Sequence, residues 1–151
     1  MDRLTSAAER LRAALEGRPE IVFAYIFGST ATGRRHRHSD VDIGVLAEHR
    51  LADAAEERAG WGGYLTGLTN VAMAALESDE VQVVMLDAAP PLLADRVARR
   101  GYLVFSRDEP RRLRWLVETK SRYCDLRPYR ELLRLALTRR VQSGRFGTAR
   151  G

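Results

Sequence analysis

The feature that most constrains the fold is an uninterrupted apolar run, IVFAYIF, at residues 21–27. The run is rich in β-branched and aromatic residues and contains no charged side chain. A strand of this composition suits a position in which both of its faces are buried. The run therefore predicts a strand inside a short sheet on which helices pack.

Further runs predict a small α+β domain around this strand. Strands are expected at 41–46, 80–86 and 102–105, and helices at 3–16, at both ends of 51–77, and at 90–100. Four glycines between 60 and 67 predict a joint near Trp61. The N-cap residue Asp108 begins another helix, which Pro128 breaks before it continues over 129–141. The element order is α-β-β-α-β-α-β-α-α, which indicates a short mixed sheet with flanking helices and a helical C-terminal extension.

The 151 residues fit a single domain with one core. Residues 1–107 are expected to form this core, residues 108–143 a helical extension of the same domain, and residues 144–151 a frayed tail. No run of about 18 apolar residues predicts a membrane span. A single cysteine, Cys124, has no partner for an internal disulfide, so a reducing cytoplasm is the expected compartment.

Charge is unevenly distributed along the chain. Residues 107–151 contain 13 Arg and Lys against 5 Asp and Glu, whereas residues 1–106 contain 12 against 15. A basic C-terminal part is typical of a surface that contacts nucleic acid or an acidic protein. A compositional preference for arginine explains it equally, since Lys120 is the only lysine and arginine occupies every other basic position.

The chemistry-bearing stretch is FGSTATGRRHRHSDVDIGVL, residues 27–46. Gly28 and Ser29 follow the buried strand, and backbone N–H groups in a Gly-Ser turn can cradle a phosphate. Asp40 and Asp42 lie two residues apart on the next strand, so their side chains share one face. Paired carboxylates of this kind suit Mg²⁺ or Mn²⁺. Together these features predict a nucleoside triphosphate site, although a tight turn and an exposed acidic strand face explain each feature separately.

This stretch resembles the Gly-Ser … Ser-Asp-x-Asp signature of the DNA polymerase β-like nucleotidyltransferase superfamily. Together with the later segment VQVVMLDAAPPLLADRVARRGYLVFSRD, it is similar to the minimal nucleotidyltransferase (MNT) branch. The resemblance implies that Gly28 and Ser29 hold the triphosphate of an NTP, most often ATP. It implies that Asp40 and Asp42 are catalytic and bind two Mg²⁺ ions. The implied reaction transfers a nucleoside monophosphate to a hydroxyl and releases pyrophosphate.

One position departs from the family pattern. A third acid is usual on the later strand, where this chain has Gln82 between two valines. A neutral amide is a weaker metal ligand than a carboxylate and cannot act as a base. Glu80 shares the face of Gln82 but lies about 6.6 Å back along the strand, and Asp87 has the opposite parity. Nucleotide binding is therefore expected to tolerate this departure better than catalysis.

The remaining candidates carry less weight. His36 and His38 have metal-compatible spacing, but a solvated loop or a phosphate contact is the favoured interpretation. Cys124 is interpreted as a helix-face residue. Trp61 and Trp115 are interpreted as packing or partner contacts. Three arginines follow the Gly-Ser turn and are expected to surround it with positive charge: Arg34, Arg35 and Arg37.

Two main functions follow from the resemblance. In the first, the chain is an adenylyltransferase that modifies a hydroxyl on a HEPN-type toxin and so acts as its antitoxin. In the second, the fold is kept but the toxin is neutralised by contact, with Gln82 marking a degraded site. Nucleic-acid recognition by the basic C-terminal part is a third and weaker possibility, because aromatic residues are not interleaved with the arginines. No membrane partner is expected, and oligomerisation stays open.

Overall fold

A computed structural model describes residues 2–33, 40–58 and 63–142, except for the side chains of 55–58. Its centre is a four-stranded sheet in the order β3-β2-β1-β4. The strands are β1 (Ile21–Phe27), β2 (Val41–Ala47), β3 (Val81–Met85) and β4 (Tyr102–Ser106). Each begins within one residue of its predicted start.

The sheet is mixed, as predicted. β1 pairs antiparallel with both β2 and β4, whereas β2 and β3 are parallel. β1 therefore lies inside the sheet, and all seven of its residues are buried. The expectation from its uninterrupted apolar sequence is confirmed.

Helices cover both faces of the sheet. One face packs against α1 (Arg3–Leu15) and α4 (Gly63–Leu76), through a core that includes Leu11, Ile43 and Leu68. The other face packs against α5 (Pro91–Arg100) and α6 (Glu109–Asp125), and its core includes Val97 and Trp115. The remaining helices are α2 (Gly28–Ala31), α3 (His49–Arg58) and α7 (Arg127–Gln142).

The first C-terminal helix begins where the sequence predicts, whereas the break after it falls at Leu126 and not at Pro128. The Asp108 carboxylate accepts a hydrogen bond from the backbone N–H of Arg111 at 3.0 Å, which satisfies one unpaired donor at the start of α6. α6 ends at Asp125, and Pro128 lies at the second position of α7. Trp115 is buried with its ring 5.3 Å from that of Phe23, so its interpretation as a packing residue is confirmed.

The Gly-Ser segment is the start of a single helical turn, α2, rather than a simple turn. Residues 51–77 form two helices, but the joint predicted near Trp61 and the tail at 144–151 fall outside the described residues. No helix within the described ranges is long and apolar enough to cross a membrane.

Candidate functional site

The site is organised by a row of residues across three neighbouring strands. Asp42 of β2 is in register with Phe27 at the end of β1 and with Gln82 of β3. Neighbouring strands are about 4.8 Å apart, so side chains in one row can share a ligand. The neighbours of Asp42 in sequence, Val41 and Ile43, are buried on the opposite face. The fold therefore holds the Asp42 carboxylate at a fixed position beside the start of α2.

Gly28 leaves room for this carboxylate. A Cβ atom at residue 28 would lie 2.2 Å from Oδ2 of Asp42, much closer than any real contact. Gly28 also has a φ of +73°, in the left-handed region that only glycine adopts without strain. The backbone conformation therefore favours glycine, and without a Cβ atom at residue 28 the Asp42 carboxylate can lie directly against the chain that enters α2.

The two aspartates interact unfavourably when both are charged. Burial raises the pKa of Asp42, and the nearby charge of Asp40 raises it further. Asp40 itself is exposed at the entry to β2. A half-buried carboxylate beside a second one is an arrangement that a divalent cation would stabilise, because the cation neutralises both.

The donor set fits a hard cation but has only two carboxylates. Among the described residues there is no cluster of three or more His, Cys, Asp and Glu side chains arranged to hold a metal. The third strand contributes Gln82, which is exposed and offers one amide oxygen beside Asp42. Asp40, Asp42 and Gln82 are thus the residues available to a cation here.

The other side of α2 borders a small basic cavity. The cavity has a volume of about 260 Å³ and is lined by Gly28, Ser29, Thr32, Arg96 and Arg100. The Thr32 hydroxyl donates to the Gly28 carbonyl at 3.2 Å, which helps to hold the single turn of α2. The arginines come from the last two turns of α5. Hydroxyl groups and guanidinium groups therefore face one space next to the Asp42 row.

The structure brings some of the predicted site residues together and leaves others apart. Gly28 and Asp42 are in direct proximity, Ser29 is one residue further along α2, and Gln82 completes the row.

Other candidates lie outside the row. Glu80 precedes β3, and its backbone carbonyl accepts a hydrogen bond from the Val41 N–H at 2.8 Å. Asp87 is outside the row, with its carboxylate 3.5 Å from the His49 ring, as its parity predicted. Cys124 is exposed on α6, as interpreted. The loop residues Arg34, Arg35, His36, Arg37 and His38 lie outside the described ranges.

Arg96 and Arg100 were not identified from the sequence. Their i, i+4 spacing places them on one face of α5, and this signal was available. The intervening arginine, Arg99, has an acidic partner four residues earlier, Asp95, whereas Arg96 and Arg100 do not. Two arginines one helical turn apart, with no acidic residue four positions before either, are the sequence signal for this part of the site.

A larger cavity also borders α2. Its volume is about 800 Å³, and its lining includes Arg3, Thr30, Val41 and Glu77. Asp40, Asp42 and Gly28 do not line it. The larger cavity is therefore not the candidate site, which consists of the Asp42 row and the small basic cavity.

Comparison with known proteins identifies the family of this chain. The family model for polymerase beta nucleotidyltransferases matches residues 9–110. The protein adenylyltransferase MntA of Shewanella oneidensis is 33% identical over 115 residues, which cover 76% of this chain and 75% of MntA.

Two solved structures share the fold over most of their length. A toxin–antitoxin crystal structure with AMP-PNP has a TM-score of 0.67 and 26% identity, covering 87% of this chain and 98% of that one. A crystal structure of the toxin–antitoxin MntA–HepT has a TM-score of 0.62 and 26% identity, covering 87% and 97%. The family-model match over residues 9–110, together with the 33% identity to MntA, shows that the chain belongs to the polymerase beta nucleotidyltransferase family.

Proposed function

We propose that this protein is an antitoxin that transfers AMP from ATP to a hydroxyl group on a HEPN-type toxin. The observation that supports it most directly is the Asp42 carboxylate held against Gly28, with the charge of Asp40 nearby at the entry to β2. A relative that is 33% identical is a protein adenylyltransferase, and a similar toxin–antitoxin structure holds AMP-PNP. Gly28 and Ser29 bind the triphosphate in this proposal, and Asp40 and Asp42 hold the metal.

The reaction is a displacement at the α-phosphorus of ATP. The acceptor oxygen forms a bond to this phosphorus while the bond to the bridging oxygen of the β-phosphate breaks, so pyrophosphate leaves. The proton of the acceptor hydroxyl passes to water, because Gln82 has no basic oxygen. Two Mg²⁺ ions bound by Asp40 and Asp42 would supply charge neutralisation at the attacking and leaving oxygens.

The chain's own residues contribute position and charge. The sheet fixes Asp42, whose carboxylate can lie close to a bound phosphate because Gly28 has no side chain. Ser29 adds a hydroxyl donor one residue along α2. Positioning of this kind accounts for much of the rate in phosphoryl transfer.

The proposal is tested by incubating the protein with Mg²⁺, ATP labelled at the α-phosphate, and a HEPN-type toxin protein. The expected result is label on the HEPN protein, with release of unlabelled pyrophosphate. ATP labelled at the γ-phosphate should leave the HEPN protein unlabelled. Label from the γ-phosphate would identify a kinase and overturn the proposal.

The alternative is neutralisation by contact alone. It is favoured by one observation, the neutral Gln82 beside Asp42 where a third acid is usual in the family. In that case the Asp40→Asn/Asp42→Asn double variant should still neutralise the HEPN protein, and the wild-type chain should transfer no label. Neutralisation that depends on ATP and on both carboxylates would exclude the alternative.

Gln82→Asp should raise the rate of label transfer by at least ~10-fold, because a general base typically contributes about 10²–10⁴ in rate. The substitution is tolerable for the fold because the Gln82 side chain is exposed. The measurement is the single-turnover rate at saturating ATP.

Gln82→Asn is the matched control, since it shortens the side chain without adding a charge. Its rate should stay at or below that of the wild type. Equal rates for Gln82→Asp and the wild type would show that residue 82 does not limit turnover.

α7 offers a surface for the toxin. None of its 16 residues is buried, and it packs chiefly against α6. Tyr129, Leu133 and Leu137 follow one helical stripe and are 63%, 47% and 56% exposed. A helix without buried residues gains little from tertiary packing, so an apolar stripe of this kind suits a protein partner.

Leu133→Asp should weaken binding of the HEPN protein by ~10-fold or more, because it places a charge in the centre of the stripe. ATP binding should be unchanged. The measurement is the dissociation constant of the protein–toxin complex by calorimetry. Thr138→Asp introduces the same charge off the stripe and should bind as the wild type does. Equal affinities for both variants would place the interface elsewhere.

A further inference from the structure

Two arginines on α5 face the start of α2 across the small cavity. Arg96 and Arg100 are one helical turn apart and line this space together with Gly28, Ser29 and Thr32. Both side chains are exposed. Two guanidinium groups therefore converge on the segment that the proposed function assigns to the triphosphate.

These arginines have no counter-ion within the part of the chain that the structure describes. Neither Arg96 nor Arg100 forms a hydrogen bond or an ion pair there. Arg99, between them on the helix, differs: its Nε lies 3.1 Å from Asp95, and its guanidinium stacks over the Tyr123 ring at 4.8 Å. Arg99 has a structural role, whereas Arg96 and Arg100 are available to an anion.

The surrounding charges select where an anion can bind. Asp40 and Asp42 repel phosphate unless a cation intervenes, and they lie on the sheet side of Gly28. The arginines lie on the α5 side, where a phosphate meets positive charge. A guanidinium group presents paired N–H donors that match two phosphate oxygens. The terminal phosphates of a nucleotide suit this side, and its α-phosphate suits the side of the aspartates.

We infer that Arg96 and Arg100 bind the β- and γ-phosphates of the nucleotide and hold the pyrophosphate that leaves. The inference rests on the proposed function and assigns a specificity role within it. The two arginines distinguish a nucleoside triphosphate from a monophosphate, because only the triphosphate reaches the cavity. They bind the leaving group throughout the displacement, in which the bond from the α-phosphorus to the bridging oxygen breaks.

The experiment measures dissociation constants for ATP, AMP and inorganic pyrophosphate in the presence of Mg²⁺. For Arg96→Ala/Arg100→Ala, ATP and pyrophosphate should bind ~100-fold more weakly and AMP less than ~3-fold, since each charge-assisted contact contributes about tenfold or more. Arg96→Lys/Arg100→Lys should recover part of the loss, because lysine keeps the charge but not the paired donors.

Arg111→Ala/Arg114→Ala is the matched control. It removes two arginines from the neighbouring α6, neither of which lines the cavity, and it should leave all three constants unchanged. ATP binding by Arg96→Ala/Arg100→Ala that equals the wild type would overturn the inference, as would an equal loss for ATP and AMP. A wild-type protein that binds no ATP would instead overturn the proposed function together with this assignment.

Discussion

Asp42→Asn should reduce transfer of labelled AMP by ~10²–10⁴-fold, which corresponds to several kcal/mol of lost charge stabilisation in the transition state. Asparagine keeps the shape of the side chain and its contact with Gly28, but it removes the charge that a cation needs. The measurement is the single-turnover rate with saturating ATP and Mg²⁺. Asp87→Asn removes a carboxylate from outside the row and should keep the wild-type rate. Equal rates for Asp42→Asn and the wild type would show that this row is not the active site.

The same variant should be more stable than the wild type when no metal is present. Burial and Asp40 raise the pKa of Asp42 in the folded state, so ionisation costs stability as the pH rises above the unfolded value of about 3.9. Asp42→Asn should therefore increase Tm at pH 7 by ~1–3 °C, allowing for solvent screening. The gain should vanish below about pH 4, where the wild-type carboxyl is neutral. Mg²⁺ should raise Tm of the wild type and leave that of the variant nearly unchanged.

Gly28→Ala should lower activity by ~100-fold or more, because a displacement of about 1 Å in catalytic geometry is sufficient for such a loss. The new methyl group would lie 2.2 Å from Oδ2 of Asp42, so the carboxylate must move. The left-handed backbone adds about 1–2 kcal/mol of strain for a non-glycine residue. The measurements are the transfer rate and the thermal midpoint.

Gly33→Ala separates these two effects. Gly33 has nearly the same φ, +71°, but no atom of the described residues lies within 4 Å of the position that its Cβ would occupy. Its substitution should lower Tm to a similar extent through backbone strain and leave transfer within ~3-fold of the wild type, because Asp42 is untouched. An equal loss of activity in both variants would show that strain, and not the contact with Asp42, is responsible.

The sequence predicts the strands well because their patterns are local. The uninterrupted apolar run IVFAYIF is sufficient to predict a buried strand. The apolar residues that alternate with Asp42 predict that its side chain lies on the opposite face of β2 from theirs. Asp42 and Gln82 pair across parallel strands but are separated by 39 residues in the sequence. Predicting that pairing therefore needed the family pattern in addition to periodicity.

The basic cavity could not be predicted in the same way. Arg96 and Arg100 become part of the site only because α5 packs beside α2, and nothing in the local sequence fixes that contact. Likewise, Gly28 is readable as a turn residue, but the 2.2 Å constraint from Asp42 is a property of the folded sheet. The sequence therefore predicts the type of each element better than it predicts which elements contact one another.

The position of Gln82 has an evolutionary consequence. Its side chain is exposed, while the residues on either side, Val81 and Val83, are buried in the core. A change at residue 82 therefore alters the chemistry of the row without altering the packing that maintains the fold. A single substitution at residue 82 could therefore convert a protein of this fold between two modes of action, the modification of a toxin and its neutralisation by contact alone.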